Sequence, residues 1–140
     1  MDSSSDEHVG QSLGRLDGYA KVAGLARYVD GLEPPGAWHA LTLRSQVARA
    51  RFDGLVLSDQ FDWQQVCLVT AADIPGENTI WLIETDQPAL VPEGGEIRHA
   101  QEALALIAAP SLELAKQALE HIEVMCETLP PVLELDDSIE

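Results

Sequence analysis

Basic side chains are scarce. The chain of 140 residues carries 8 Lys and Arg against 24 Asp and Glu, a formal net charge of −16 at pH 7. A surface this acidic repels nucleic-acid phosphates and anionic membrane, which argues against both as partners. Long apolar runs are also missing. The longest, Ala103–Pro110, is eight residues, where a membrane helix needs about 20. Met1 is followed by Asp2-Ser3-Ser4-Ser5-Asp6-Glu7, without the basic start and apolar stretch of a secretory signal. A soluble, cytoplasmic protein is therefore expected.

Cysteine is limited to Cys67 and Cys126, each in an apolar, strand-like stretch. Buried free thiols are expected rather than a disulfide framework. Aromatics make up 5% of the chain, and Trp38, Trp63 and Trp81 are spread along it. They are expected in the core rather than as base-stacking platforms.

Catalytic signatures are lacking too. No GxGxxG follows a strand and no phosphate loop is present. None of His8, His39, His99 and His121 has a second histidine or a cysteine at ligand spacing; His121 and Cys126 straddle an expected change from helix to strand. Cys67 sits in an apolar run that disfavours a thiolate. Asp136-Asp137 lies in a terminal stretch, where a solvated end is the plain reading. The residues by themselves describe a domain and no active site.

What is present is enough apolar residue, 46%, for one core. The charge is uneven. Residues 1–51 hold six bases and six acids; residues 52–140 hold Arg98, Lys116 and eighteen acids. A solvated acidic surface explains the second part. The neutral first part leaves room for a face that meets something other than water.

Residues 1–13 are polar and expected to be flexible. Asp30–Gly36 is a turn-rich break placed before the first regular element. Trp38–Arg44 alternates with period two and reads as a strand. Val47–Leu57 alternates as well, though its alanines and arginines would suit a helix. Val66–Thr70 and Thr79–Ile83 read as short strands, and Asp86–Gly95 as loop. Ala103–Ala108 is apolar and buried in either state. Ser111 is a plausible N-cap for a helix with Leu112, Ala115, Leu119 and Ile122 near helical spacing. Glu123–Thr128 reads as a last strand, stopped by Pro130-Pro131. Strands on either side of one clear helix give an α+β pattern, a mixed β-sheet with one or two covering helices.

Four segments together resemble one family. Arg15–Asp30 resembles the R-x-D-x-x-x-K-V-x-G-x-A-x-Y-x-D opening of the large, molybdopterin-binding subunits of the xanthine dehydrogenase and aldehyde oxidase family. Leu43–Arg51 resembles its R-S-P-x-A-x-A segment. Val69–Asn78 resembles T-A-x-D-I-P-G-x-N, and Ile122–Val132 the closing V-x-Y-E-x-L-P-P-V. Three departures stand out. Gln46 replaces the usual proline, Cys126 the usual tyrosine, and Gln101-Glu102-Ala103-Leu104-Ala105 the usual G-Q-P-V-A.

The resemblance implies an α/β-hammerhead domain over 14–133, followed by an acidic tail over 134–140. It implies the scaffold part of a molybdenum hydroxylase, with molybdopterin-molybdenum, iron–sulfur and flavin centres on other domains or subunits and no cofactor in this chain. The implied partners are the remaining molybdenum-binding domains and an iron–sulfur subunit or domain. It carries over no catalytic residue. The matched positions Arg15, Lys21, Gly24, Tyr28, Arg44, Ser45, Asp73, Pro75 and Gly76 are expected to be structural or interface residues. Backbone freedom and close approach are the reasons expected for Gly24 and Gly76. Arg15, Lys21, Arg27 and Arg44 are expected nearest the partner. The alternative is a free-standing interaction module that keeps the fold without the enzyme.

Overall fold

The computed structural model describes residues 10–81 and 83–138. The expectations for a flexible 1–13 segment, for position 82 and for the end of the acidic tail fall partly outside them. The chain divides into two compact units, Met1–Pro35 and Gly36–Glu140.

The first unit contains α1, Gly18–Val22, which the residue pattern did not announce. None of its residues is buried, so no core packing holds it. Its end is well built. Gly24 takes φ +69°, its N–H reaches the Lys21 carbonyl at 3.3 Å, and the Leu25 N–H reaches Ala20 at 2.7 Å. This pair of bonds is the Schellman stop, which favours glycine at its left-handed position. A single 3-10 turn follows at Val29–Gly31.

The second unit contains β1 (His39–Arg44), β2 (Ala50–Leu57), β3 (Cys67–Val69), β4 (Glu96–Ile97), β5 (Ala103–Ala109), α2 (Leu112–Glu120) and β6 (Ile122–Thr128). The strands form two three-stranded sheets, ordered β1-β5-β3 and β4-β2-β6. Every pairing within them is antiparallel. The α+β expectation holds, with the single sheet resolved into two antiparallel ones.

In β2, Ala50 and Phe52 are buried while Arg51 and Asp53 are exposed. That alternation decides for strand over helix. The register slips between Phe52 and Gly54, leaving Asp53 as the extra residue of a bulge. The 92–95 turn binds there: Phe52 N–H donates to Gly95 at 2.8 Å, and Gly94 N–H to Phe52 at 2.7 Å. A second slip falls between Leu43 and Arg44, opposite Leu104. It lets the consecutive Leu104 and Ala105 both be fully buried.

Helix α2 starts where expected, with Ser111 Oγ accepting from Leu114 N–H at 3.2 Å. Its buried face is Ala115 and Ala118, small enough to bring the helix down on β1 and β5. They pack with Ile107 and Ala109 in one cluster; Ala50, Phe52, Val91, Ile97 and Leu104 form another. Among the described residues, Leu43 alone packs against both.

Three expectations are corrected. Among the described residues of Thr79–Ile83 no strand forms, only the isolated antiparallel bridge Ile80–Gln87. Cys67 is exposed rather than buried, and Cys126 is half-buried. The reason is position: β3 is an edge strand, and Cys67 lies on the face away from α2. Trp38 and Trp81 are 52% and 69% exposed rather than in the core. Trp63 alone packs as expected, half-buried beside the second cluster, with Nε1 donating to Ser58 at 3.0 Å.

Candidate functional site

The predicted positions fall into three groups along the chain. The first lies in the N-terminal unit. Asp17 accepts from Arg15 and pairs with Lys21 Nζ at 2.7 Å. These two bonds, the Arg15 one foremost, hold the Asp17 carboxyl below its ordinary value. Gly24 ends the helix, and Tyr28 precedes the 3-10 turn with its side chain exposed.

The second group joins the two sheets. β1 ends at Arg44, whose Nη1 donates to the Gln101 carbonyl at 2.8 Å. Ser45 follows, 1% exposed. Its N–H donates to Glu102 and its carbonyl accepts from Gln101, each at 2.9 Å. Its hydroxyl donates to the Val47 carbonyl at 2.8 Å and accepts from the Val47 N–H at 3.1 Å. Buried polar groups must be paired, and this serine is fully paired inside the turn. Opposite it, the nearly buried Glu102 accepts from Arg98 N–H at 2.7 Å. Gln101 takes φ +71°, the sole non-glycine among the described residues with positive φ. This is where the family pattern has glycine, so the departure keeps the left-handed turn and carries its strain.

The third group follows β3. Thr70 N–H and Oγ1 both donate to Asp73 Oδ2 at 2.8 Å. The two bonds hold the Asp73 carboxyl below its ordinary value, the backbone bond contributing most. Pro75 and Gly76 are exposed. Gly76 is corrected: its φ is not positive, and an added Cβ would meet nothing within 4 Å. Neither backbone freedom nor close approach requires glycine there. Gly24 keeps the first of those reasons.

Sequence reasoning passed over Asn78. Its Nδ2 donates to the Leu90 carbonyl at 2.7 Å, and its Oδ1 accepts from the Leu90 N–H at 3.0 Å. The amide thus stands in for a strand partner and fastens the 74–80 loop to the buried Leu90-Val91 pair. The asparagine at the end of the Val69–Asn78 motif was the available signal. A cavity of about 400 Å³ opens beside it, lined by Phe52, Leu55, Ala71, Asn78, Val91 and Pro92 among others. Its walls are mainly apolar, and no titratable pair faces it that could move a proton. Among the described residues, no three His, Cys, Asp or Glu side chains gather as metal ligands. No helix among them is long and apolar enough to cross a membrane.

Comparison with known proteins follows the same pattern. Residues 23–130 match the family described as aldehyde oxidase and xanthine dehydrogenase, a/b hammerhead domain. A probable xanthine dehydrogenase subunit from Bacillus subtilis is 33% identical over 112 residues, 79% of this chain and 15% of the relative. The nicotinate dehydrogenase large molybdopterin subunit of Eubacterium barkeri is 30% identical over 134 residues, 94% of this chain and 31% of the relative. Among solved structures, a Cu,Mo-CO dehydrogenase superposes with TM-score 0.82 at 25% identity, over 94% of this chain and 17% of that one. Quinoline 2-oxidoreductase from Pseudomonas putida gives 0.77 at 28% identity, over 94% and 18%. The chain therefore spans less than a third of the curated relatives it matches.

Proposed function

Because this chain belongs to the aldehyde oxidase and xanthine dehydrogenase family as an a/b hammerhead domain, we propose that it serves as the scaffold domain of a molybdenum hydroxylase large subunit. The observation that carries the reading is how the matched motifs spend their polar groups. Ser45 is bonded to Val47, Asp73 to Thr70, and Arg44 to the Gln101 carbonyl. Ser45 and Asp73 close turns and Arg44 braces the carbonyl of a third, and a group so committed is poorly placed for proton transfer.

In this reading, molybdopterin-molybdenum resides in the other domains of the large subunit, with iron–sulfur and flavin centres beyond them. When bound there, the molybdenum centre supplies the oxygen-transfer and redox chemistry. Among the described residues, the side chains of Arg44, Ser45, Asp73 and Asn78 in the matched motifs are engaged within the fold, which supports placing the cofactor in the other domains. The partners are the remaining molybdenum-binding domains and an iron–sulfur subunit or domain, in the cytoplasm. The hammerhead domain proper spans 14–133, and the residues after it form the acidic tail. The stretch Arg15–Tyr28 is the first contact region, because Leu16, Tyr19, Val22, Leu25 and Tyr28 are each 61% exposed or more. Apolar groups so placed mark an interaction surface. Arg15, Lys21 and Arg27 lie within that stretch, Arg44 comes later in the sequence at the end of β1, and the Pro75-Gly76 turn is exposed alongside Asp73.

The test is co-expression with the cognate molybdopterin-binding polypeptide. A co-purifying complex with hydroxylase activity, and loss of that activity without this chain, is the expected result. No complex, with activity unaffected by its absence, overturns the reading and leaves a free-standing interaction module. The isolated chain is expected to hold no molybdenum by elemental analysis; stoichiometric molybdenum overturns that part.

A further inference from the structure

A second cavity, of about 370 Å³, is lined by residues of β1, β5 and the 87–89 segment. It shares no lining residue with the cavity beside Asn78. Its volume lies within the range of small-molecule sites. Ile80, Pro88 and Leu106 belong to its apolar lining, and Thr42, Arg44, His99 and Glu102 to its polar lining.

Two of these groups carry opposite charge and are not spent on each other. Arg44 uses Nη1 on the Gln101 carbonyl, and no carboxylate among the described residues pairs with its guanidinium. Arg49 and Arg51, a few residues on, each take one: Glu96 at 2.7 Å and Asp53 at 2.9 Å. Glu102 is the residue after the one Arg44 holds, and it is 9% exposed. Its Oε2 accepts from the Arg98 N–H at 2.7 Å. Its Oε1 receives no bond from the described residues, and none of their buried polar side-chain atoms is left without a partner. Oε1 therefore opens on the cavity rather than into the core. A carboxylate withdrawn this far from water favours a donor or a cation beside it.

We propose that this cavity binds a small zwitterion, an α-amino acid with an apolar side chain. The unused N–H groups of Arg44 take the ligand carboxylate, and Glu102 Oε1 takes its ammonium. The side chain rests on the apolar lining, while the Thr42 hydroxyl and the His99 imidazole supply further donors and acceptors. Both charged contacts are charge-assisted hydrogen bonds, the stronger kind. The choice of ligand follows from the pairing. A simple anion suited to Arg44 would meet the Glu102 carboxylate, and a simple cation suited to Glu102 would meet the guanidinium. A molecule with both charges satisfies both groups and turns away its own one-charge analogues. The assignment does not depend on the scaffold reading.

The probe is radiolabelled leucine, measured by equilibrium dialysis on the full chain in the assembly in which it purifies. The competitors are 4-methylpentanoate, which is leucine without its ammonium, and 3-methylbutylamine, which is leucine without its carboxylate. Leucine is expected to bind saturably at millimolar concentration or below, and each analogue about tenfold or more weakly. Glu102→Gln keeps an acceptor for the Arg98 N–H and removes the charge. It should weaken leucine about tenfold and strengthen 4-methylpentanoate, whose carboxylate no longer meets a like charge. A purely structural role for Glu102 would not move the two ligands in opposite directions. Arg51→Gln, outside the cavity, should leave leucine binding within about twofold. Circular dichroism checks each fold, and if Glu102→Gln does not fold, the analogue series decides. Absence of saturable leucine binding overturns the proposal. So does an analogue that binds as tightly as leucine, which would make the cavity a plain anion or cation site, and so does a folded Glu102→Gln that binds leucine at the original affinity.

Discussion

The guanidinium of Arg44 holds the carbonyl of Gln101 at 2.8 Å, and Gln101 is in the left-handed region at φ +71°. The arginine thus helps keep a strained residue in place. Replacing Gln101 by glycine removes the Cβ clash. Urea unfolding should show a gain of about 0.5–1 kcal/mol, reduced by the extra freedom of glycine in the unfolded chain. Gln101→Val, β-branched, should cost about 1–2 kcal/mol. A neutral result for both would mean the turn is not held in this conformation.

Asn78 and Leu90 exchange two hydrogen bonds at 2.7 and 3.0 Å. Asn78→Ala strands both main-chain groups of a residue only 4% exposed. The expected cost is about 1–3 kcal/mol. Amide exchange at Leu90 should accelerate before exchange in β5 does. Asn78→Asp keeps the acceptor for the N–H but faces a carboxylate to the carbonyl, so it should not rescue.

Two glycines make a contrast. A Cβ on Gly95 would sit 2.8 Å from the Pro92 carbonyl, whereas one on Gly76 meets nothing within 4 Å. Gly95→Ala should destabilise by about 2 kcal/mol, through main chain that cannot move freely. Gly76→Ala should lie between neutral and about 0.5 kcal/mol stabilising. Thermal melts of the two variants decide it.

Asp73 provides a pH signature. Its carboxyl is lowered from an ordinary value of 3.8 by the Thr70 bonds. Below that value the unfolded chain binds the proton more readily than the folded one. The contribution is thus whole above about pH 4 and is lost as pH falls through the lowered folded value. Asp73→Asn should lower the urea midpoint at pH 6 and flatten its decline between pH 5 and pH 2. An equally steep decline in the variant would assign the acid sensitivity to other carboxylates.

Much of this was legible in the residues, for a physical reason. Period-two alternation placed β1 and β2, and a serine before an apolar stripe placed α2. Motif order placed the family. What escaped depends on neighbours distant in sequence. Thr79–Ile83 has the composition of a strand and, among its described residues, forms only the Ile80–Gln87 bridge. Cys67 has the sequence context of a core residue but occupies an edge strand, on the face α2 leaves open. Asn78 acts on a main chain twelve residues on, which no side-chain pattern reveals. The short α1 buries nothing, so only Gly24 marked its end. The matched motifs could be read as a set from their order; the bonds that explain Ser45 and Asp73 needed coordinates.

Leu43 touches both apolar clusters at the point where β1 and β5 slip register. A single side chain shared between two cores is a mechanical coupling. Heat absorbed by one cluster loosens the other, and the domain should melt in one calorimetric peak. Leu43→Ala would cut that link, and the β4-β2-β6 half would then soften at a lower temperature than the half under α2.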